Sequence, residues 1–366
     1  AHRAASPRTA GGHPGAQRAT VRLGTLSDMG DLILGIESSC DETAAAVVES
    51  GKRVISSEIH SQVAQHAVYG GVVPEIAGRS HLEKILPVVD AALSSAELEL
   101  EDLDAIAVTQ RPGLIGSLLV GLSTAKGLSF VSGVPLVGVH HIEAHVYAAT
   151  MPLEAPPWPC LALVVSGGHT SLYIARSPLE LEPIAETLDD AAGEAFDKVA
   201  WMLGLGYPGG PEVARLATEG DRGAIAFPRY RSKDGSVGFS FSGLKTAVLY
   251  HVRGGDALAP TPAPEDIPDR ADVAASFEEA VVDSLVEQTL RAAKEHSLER
   301  ILVAGGVACN RRLREVMQQR AQDAGLSAHF PAPEWCTDNA VMIAGLGWEL
   351  WQAGSLADLS LDASPR

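Results

Sequence analysis

Apolar and polar positions fall in short blocks along this chain. From Asp31 an apolar run, Leu32-Ile33-Leu34-Gly35-Ile36, ends in a polar turn, Glu37-Ser38-Ser39-Cys40-Asp41-Glu42-Thr43. Ala44 to Val48 and Arg53 to Ile59 follow at the spacing of a three-strand meander. Glu75 to Ser95 predicts a helix and Ala105 to Thr109 a buried strand. The Gly-rich loop Arg111-Pro112-Gly113-Leu114-Ile115-Gly116 leads into a helix ending near Ser132, and Leu136 to Val139 predicts another strand. From Cys160 the order recurs. Leu161 to Val165 ends in Ser166-Gly167-Gly168-His169-Thr170, and strands follow over Ser171 to Ala175 and Leu181 to Thr187. Helices are predicted over Gly193–Leu203, Pro211–Glu219, Leu244–Arg253 and Arg270–His296. In the last, Val273, Phe277, Val281 and Leu285 recur at i+4. Ile301 to Ala304 predicts a buried strand, then a helix, a short strand near Ala328 to Phe330, and a final helix over Asn339 to Leu350.

A β-β-β-α-β-α order thus appears twice, each time with a polar turn after the first strand. Two similar α/β lobes imply a ligand cleft between them, where both turns point. The expected division is a disordered N-terminal extension over 1–30, a first lobe over 31–139 completed by a helix over 339–354, a second lobe over 140–338, and a tail over 355–366. Gly254 to Pro268, rich in Ala, Pro and Asp, reads as a mobile surface loop.

Composition sharpens this picture. The 366 residues are 46% hydrophobic and 20% charged, which suits an ordinary two-lobed globular protein. No apolar run reaches the ~18 residues of a membrane span, so no membrane role is expected. A net charge of −18 excludes a basic coat for nucleic acid but not a local basic patch. Arg229, Arg231 and Lys233 near Lys245, and Arg311, Arg312 and Arg314, are candidate patches or solvated faces. The first 28 residues carry four arginines against Asp28. They lack the apolar stretch of a secretory signal; a transit peptide shares their composition, but an extension upstream of Met29 is the preferred reading. Cys40, Cys160, Cys309 and Cys336 form no C-x-x-C pair and fit a reducing compartment.

Several motifs carry candidate chemistry. In His140-His141-Ile142-Glu143-Ala144-His145, His141 and His145 stand at i, i+4 and share one helix face, as a metal pair does. A peptidase H-E-x-x-H would need the glutamate directly after the first histidine, whereas Glu143 lies two residues on, facing away. The first turn offers Asp41 or Glu42 as base or metal-water ligand, or simply as solvated acids of a hairpin. Ser166-Gly167-Gly168 and Tyr207-Pro208-Gly209-Gly210-Pro211 let a ligand approach the backbone closely, although tight turns need the same residues. Asp189 or Asp190 suits the cap of the following helix; Asp197, one turn inside it, can accept hydrogen bonds from a polar ligand. Ala304-Gly305-Gly306-Val307-Ala308-Cys309-Asn310 suits a ribose or base, with Asn310 as hydrogen-bonding side chain. Asp338 reads locally as a helix N-cap and functionally as a third metal ligand.

Taken together, Gly-Ile-Glu-Ser-Ser-Cys-Asp-Glu-Thr, His-His-Ile-Glu-Ala-His, Val-Ser-Gly-Gly-His-Thr, Asp-Asp-Ala-Ala-Gly-Glu-Ala-Phe-Asp-Lys, Phe-Ser-Phe-Ser-Gly-Leu-Lys-Thr, Ala-Gly-Gly-Val-Ala-Cys-Asn and Cys-Thr-Asp-Asn closely resemble the tRNA threonylcarbamoyladenosine transferases, from Asp31 to about Gly354. The resemblance implies two actin-like (ribonuclease-H-like) α/β lobes. It implies transfer of a threonylcarbamoyl group from threonylcarbamoyl-AMP to N6 of the adenosine 3′ of the anticodon, in tRNAs reading codons that begin with A. It puts one divalent metal, iron (Fe2+) with zinc as the alternative, on His141, His145 and Asp338. It also places Val164, Val165, Ser166, Gly167, Gly168, Asp197, Gly210 and Asn310 around the adenylate. Asp41 is the candidate for taking the amine proton.

The resemblance further implies tRNA as substrate, a cytoplasmic location (mitochondrial as the alternative) and, in bacteria, the helper subunits TsaB and TsaE. Two other readings compete: a metallopeptidase, disfavoured by the position of Glu143, and a nucleotide-gated binding module of the actin or heat-shock type, which would not need the histidine pair.

Overall fold

The computed structural model describes residues 29–256, 260 and 262–366. The expected extension before Met29 and part of the 254–268 loop lie outside these residues.

Two five-stranded mixed sheets organise the chain. The first contains β1 (Leu32–Glu37), β2 (Glu42–Glu49), β3 (Arg53–Ser61), β4 (Ala105–Arg111) and β5 (Leu136–His140) in the order β3-β2-β1-β4-β5. The second contains β6 (Cys160–Val165), β7 (Thr170–Ser177), β8 (Glu180–Glu186), β9 (Arg300–Ala304) and β10 (Ser327–His329) in the order β10-β9-β6-β7-β8. Read from the opposite edge, the second order repeats the first. In each sheet the first three strands form an antiparallel meander and the last two add in parallel. Parallel addition requires a crossover, which the helices supply. The central strands β1 and β6 are buried at all six positions, which explains their unbroken apolar runs.

The helices are α1 (Val63–Ala67), α2 (Pro74–Ala96), α3 (Ile115–Ser132), α4 (His141–Ala148), α5 (Ala192–Met202), α6 (Gly209–Ala217), α7 (Ser242–Val252), α8 (Arg270–Glu295), α9 (Arg311–Asp323) and α10 (Ala340–Gln352). Of these, α1 had no clear signal in the apolar pattern. The i+4 stripe of α8 is fully buried in the core around the second sheet, where Phe277 meets Phe196 edge to face at 5.2 Å. The last helix, α10, returns to the first sheet. Its Val341, Met342, Ile343, Ala344 and Leu346 join Ile33, Ala46, Ala107 and Val139 in one core. Gly35 permits this contact, since a Cβ there would lie 2.3 Å from the Ala340 carbonyl oxygen.

One expectation needs correction. Helix α3 is long and apolar enough to cross a membrane by length and composition, with a mean hydropathy of 1.3 over 18 residues. Its single charge, Lys126, keeps the mean high although Gly, Ser and Thr interrupt the run. It packs against α2 and β4, burying Leu118, Gly121, Leu122 and Ala125. Among the described residues of the 254–268 segment, a 3₁₀ turn spans Pro264–Asp266 and Ile267 is buried in the core of the second sheet.

Candidate metal centre

Strand β5 runs straight into α4, so His141 opens the helix and His145 follows one turn later. The two rings meet edge to face, with centroids 4.6 Å apart. Asp338 reaches them from the segment before α10: its Oδ1 lies 3.0 Å from His145 Nε2 and 3.4 Å from His141 Nε2. One ligand atom from each residue fits within a 4.8 Å span. Asp338 is available because it is not the helix cap. Asn339 takes that place, its Oδ1 accepting from the Met342 N–H at 3.0 Å.

Glu37, at the end of β1, anchors this group. It is 0% exposed. Its Oε2 accepts from His141 Nδ1 at 2.9 Å and from the Thr109 hydroxyl at 2.7 Å, and its Oε1 accepts from the Ser39 N–H at 2.5 Å. With Nδ1 donating to Glu37, the His141 ring turns Nε2 toward Asp338, the arrangement that orients a metal-binding imidazole. Burial opposes the charge on both Glu37 and Asp338, yet the histidines hold both carboxyls below their usual range. His141 is correspondingly raised, the two carboxylates outweighing burial, whereas burial lowers His145. Two imidazoles and one carboxylate, with a carboxylate behind one ring, fit a single iron or zinc ion by donor chemistry. Glu143 is no part of the group. Burial raises its carboxyl, and its opposing charge is Arg111.

The sequence reading missed Glu37 as an anchor, because a carboxylate in a polar turn looks solvated. It also missed His66, Gln62 and His81. His81 Nε2 lies 2.9 Å from the Cys40 carbonyl and its Nδ1 lies 2.8 Å from the Thr43 hydroxyl. The Gln62 N–H in turn donates to the Asp41 carbonyl at 3.1 Å. Nothing local distinguishes these residues from ordinary polar positions on α2 or beside β3.

The second turn is built differently. The Ser166 N–H donates to the His169 carbonyl at 2.8 Å, and the His169 N–H donates to the Ser166 hydroxyl at 3.2 Å. A Cβ on Gly167, Gly168 or Gly210 would meet no atom within 4 Å, so the space above all three is open. Behind the turn there is no room. A Cβ on Gly193 would lie 2.6 Å from the Ser166 carbonyl oxygen and 2.8 Å from Gly167 Cα. Val164 and Val165 have their side chains inside the core, leaving Ser166 to Gly168 as the accessible part.

Asp197 Oδ1 accepts from the Gly209 N–H at 2.7 Å and so fixes the start of α6. Burial raises its carboxyl, and the charge of Asp41 adds to this. Asp41 is itself raised, first by burial and further by Asp338, with a hydrogen bond from Cys40 opposing. These mutual effects place Asp41, Asp197 and Asp338 around one region. Asn310 is held by the protein: its Oδ1 accepts from the Leu313 N–H at 2.9 Å as the N-cap of α9, and its Nδ2 donates to Glu278 at 2.8 Å. Glu278, 2% exposed and raised by burial, is a further buried carboxyl that the pattern of α8 concealed.

Two local readings change. Asp189 and Asp190 do not cap α5, whose N-cap is Ala191. Asp189 instead accepts from the N–H groups of Phe241 and Ser242 at 2.8 and 3.1 Å, clamping the start of α7, and Asp190 binds Lys198 and Lys245. The candidate basic patches are largely neutralised. Arg229 pairs with Asp283, Arg231 with Glu287, Arg311 with Glu315 and Arg312 with Glu279.

Comparison with known proteins agrees with this arrangement. Residues 53–345 match the family model described as "TsaD: tRNA N6-adenosine threonylcarbamoyltransferase". A protein of that name from Symbiobacterium thermophilum is 52% identical over 334 residues, covering 91% of this chain and 96% of its own. One from Geobacter sulfurreducens is 53% identical over 332 residues, covering 91% and 95%. Among solved structures, full-length HypF in its phosphate- and nucleotide-bound form aligns with a TM-score of 0.58 at 13% identity, covering 90% of this chain and 48% of HypF. Component A of (R)-2-hydroxyglutaryl-CoA dehydratase from Acidaminococcus fermentans aligns at 0.51 and 15%, covering 87% and 98%. These two show the shared two-lobed, actin-like α/β fold. The chain is therefore a transferase belonging to the tRNA N6-adenosine threonylcarbamoyltransferase family.

Proposed function

We propose that this protein moves a threonylcarbamoyl group from threonylcarbamoyl-AMP to N6 of the adenosine 3′ of the anticodon, in tRNAs reading codons that begin with A, releasing AMP. The observation that carries this reading is the His141, His145 and Asp338 group beside an open glycine turn, in a chain of this family. In this reading the cleft lies between a first lobe over 31–139, completed by the last helix, and a second over 140–338.

The donor is a mixed anhydride, so its carbonyl carbon is already activated and AMP leaves readily. What remains is placement of a weakly nucleophilic amine. The Ser166-Gly167-Gly168 turn offers backbone N–H groups and room for an anion. Asp197 accepts hydrogen bonds from ribose or amine groups while repelling phosphate. Gly210 leaves space beside it. Asn310, committed on two sides, serves the ligand through its backbone and by holding Glu278 in place. His141, His145 and Asp338 would hold the metal, for which we propose iron; when bound it supplies a Lewis acid that polarises the donor. Asp41, raised by burial, is suited to receiving the amine proton. Helper subunits such as TsaB and TsaE would contribute tRNA-binding surface that the neutralised arginines do not, in the cytoplasm.

The test is transfer of labelled threonylcarbamoyl from synthetic donor to purified tRNA, with AMP counted alongside, in the presence and absence of helpers. One AMP per modified adenosine, abolished in His145→Ala, is expected. Modified tRNA without stoichiometric AMP would overturn the donor assignment. Peptide cleavage is not expected; cleavage that survives purification and disappears in His141→Ala would favour the peptidase reading.

A further inference from the structure

Four thiols lie in the chain, and two of them meet beside the cleft. Cys309 ends the 3₁₀ turn Gly306–Cys309 and is exposed; Cys336 follows the 3₁₀ turn Pro333–Trp335 and is buried. Both are pinned to one carbonyl: Pro333 O accepts from Cys309 Sγ at 3.2 Å and from the Cys336 N–H at 3.3 Å. Arg314 ties the two turns together. Its guanidinium donates to Ala308 O at 2.7 Å, to Pro331 O at 2.9 Å and to Cys336 Sγ at 3.1 Å. The Cys336 Sγ donates to the Ala332 carbonyl at 3.6 Å, so the two sulfurs lie on neighbouring carbonyls of one short turn.

We propose that Cys309 and Cys336 are an oxidisable pair that closes into a disulfide on exposure to a hydroperoxide, fastening the Asn310 turn to the Asp338 turn. Cys309, the accessible member, attacks one peroxide oxygen. The O–O bond breaks, the peroxide is reduced to water or an alcohol, and the sulfur becomes a sulfenic acid. The Cys336 sulfur then attacks Cys309 sulfur. The S–S bond forms, the S–O bond breaks, and the hydroxyl leaves as water with the Cys336 proton. A dithiol reductant reverses the closure by thiol exchange. The neighbouring Cys336 and the Arg314 charge favour the Cys309 thiolate against the effect of burial, bringing this thiol down to about 7. Burial pushes Cys160 up to about 12 and raises Cys40 as well, so neither competes.

The linkage concerns residues that precede Asn310 by one position and Asp338 by two, so oxidation would stiffen both turns at once. It does not depend on which donor the cleft takes. The test exposes the full chain to hydrogen peroxide, blocks free thiols, digests without reductant and maps peptides by mass spectrometry. The expected product joins the Cys309 and Cys336 peptides, lighter by two hydrogens (about 2 Da) and reversed by dithiothreitol. In Cys336→Ser, Cys309 should accumulate as a sulfenic acid trapped by a 1,3-dione. In Cys309→Ser the cross-link should fall to background, with Cys336 still reduced. Wild-type protein in which Cys309 proceeds to sulfinic acid without cross-linking, or in which Cys309 pairs with Cys40 or Cys160, would overturn the proposal.

Discussion

The two sheets repeat one topology, yet the turns that follow their first strands solve different problems. The turn after β1 is held largely by buried polar side chains: Glu37 grips His141 and Thr109, His81 holds the Cys40 carbonyl, and the Gln62 backbone N–H holds that of Asp41. The turn after β6 is held by its own backbone and by the Ser166 hydroxyl, with Gly193 pressed behind it and open space in front. One turn spends its side chains on fixing an imidazole; the other does without them and leaves open space. Duplicated architecture therefore supplies two equivalent positions, and residue choice alone decides which becomes rigid and which receptive.

Mutations that exchange these properties should break the comparison. The largest effect is expected at the first turn. His145→Ala should abolish the single bound metal, and Glu37→Gln should weaken metal binding by roughly 10–100-fold with the fold intact. Metal analysis and competitive chelator titration read both; equal metal content in His145→Ala and wild type would remove the centre.

On α5, Asp197→Ala should weaken binding of a non-hydrolysable adenylate analogue by roughly ten- to a hundredfold, the loss of a charge-assisted hydrogen bond of ~1.5–3 kcal/mol. Calorimetric titration measures it. Because Asp197 also holds Gly209, Asp197→Asn should recover part of the loss.

The two sides of the glycine turn should then separate. Gly193→Ala drives a Cβ into the Ser166 carbonyl and should cost about 1–3 kcal/mol of stability in denaturant titration. Gly167→Val meets open space in the free protein, so its stability should stay within about 0.5 kcal/mol of wild type while donor affinity falls and metal content is unchanged. Equal destabilisation by the two substitutions would mean that the front of the turn is not open.

The last effect, read per unit of pH, concerns Glu42. Burial pushes its carboxyl up to about 8, and one of its oxygens has no hydrogen-bond partner. The folded value lies above the unfolded one, so the native chain holds the extra proton between about 4.5 and about 8. Stability from this site is therefore present at low pH and lost as pH rises through that window. Glu42→Gln should gain on wild type across the same range, by at most about 1.4 kcal/mol per pH unit and less where water reaches the carboxylate. Parallel stability curves for the two proteins would exclude this.

Strands and most helices were legible because buried parallel strands demand unbroken apolar runs, and a repeated order of such runs implies repeated lobes. His141 and His145 were legible because a helix brings i and i+4 together. Asp338 was legible as a candidate, but whether it capped the helix depended on Asn339, and neighbouring capping residues cannot be ranked from sequence. Glu37 was hidden for a related reason: only tertiary packing turns a polar turn residue into a wholly buried one. Asp189 reached across to α7 instead of capping α5, a choice set by the position of Phe241 and Ser242. The arginine clusters failed as an indicator of a basic surface because their acidic partners lie far off in sequence, on α8 for Arg229, Arg231 and Arg312.

The return of α10 to the first sheet has a consequence for biosynthesis. Val341, Met342 and Ile343 cover the face formed by Ile33, Ala46 and Ala107, yet they emerge from the ribosome only after the entire second sheet. A nascent first lobe must wait with that apolar face uncovered. Asp338, immediately before the helix, arrives in the same moment as the cover. Completion of the early half and assembly of the His141, His145 and Asp338 group are thus a single late event, and chains stalled before Asp338 should display both an exposed apolar sheet and a histidine pair without its carboxylate.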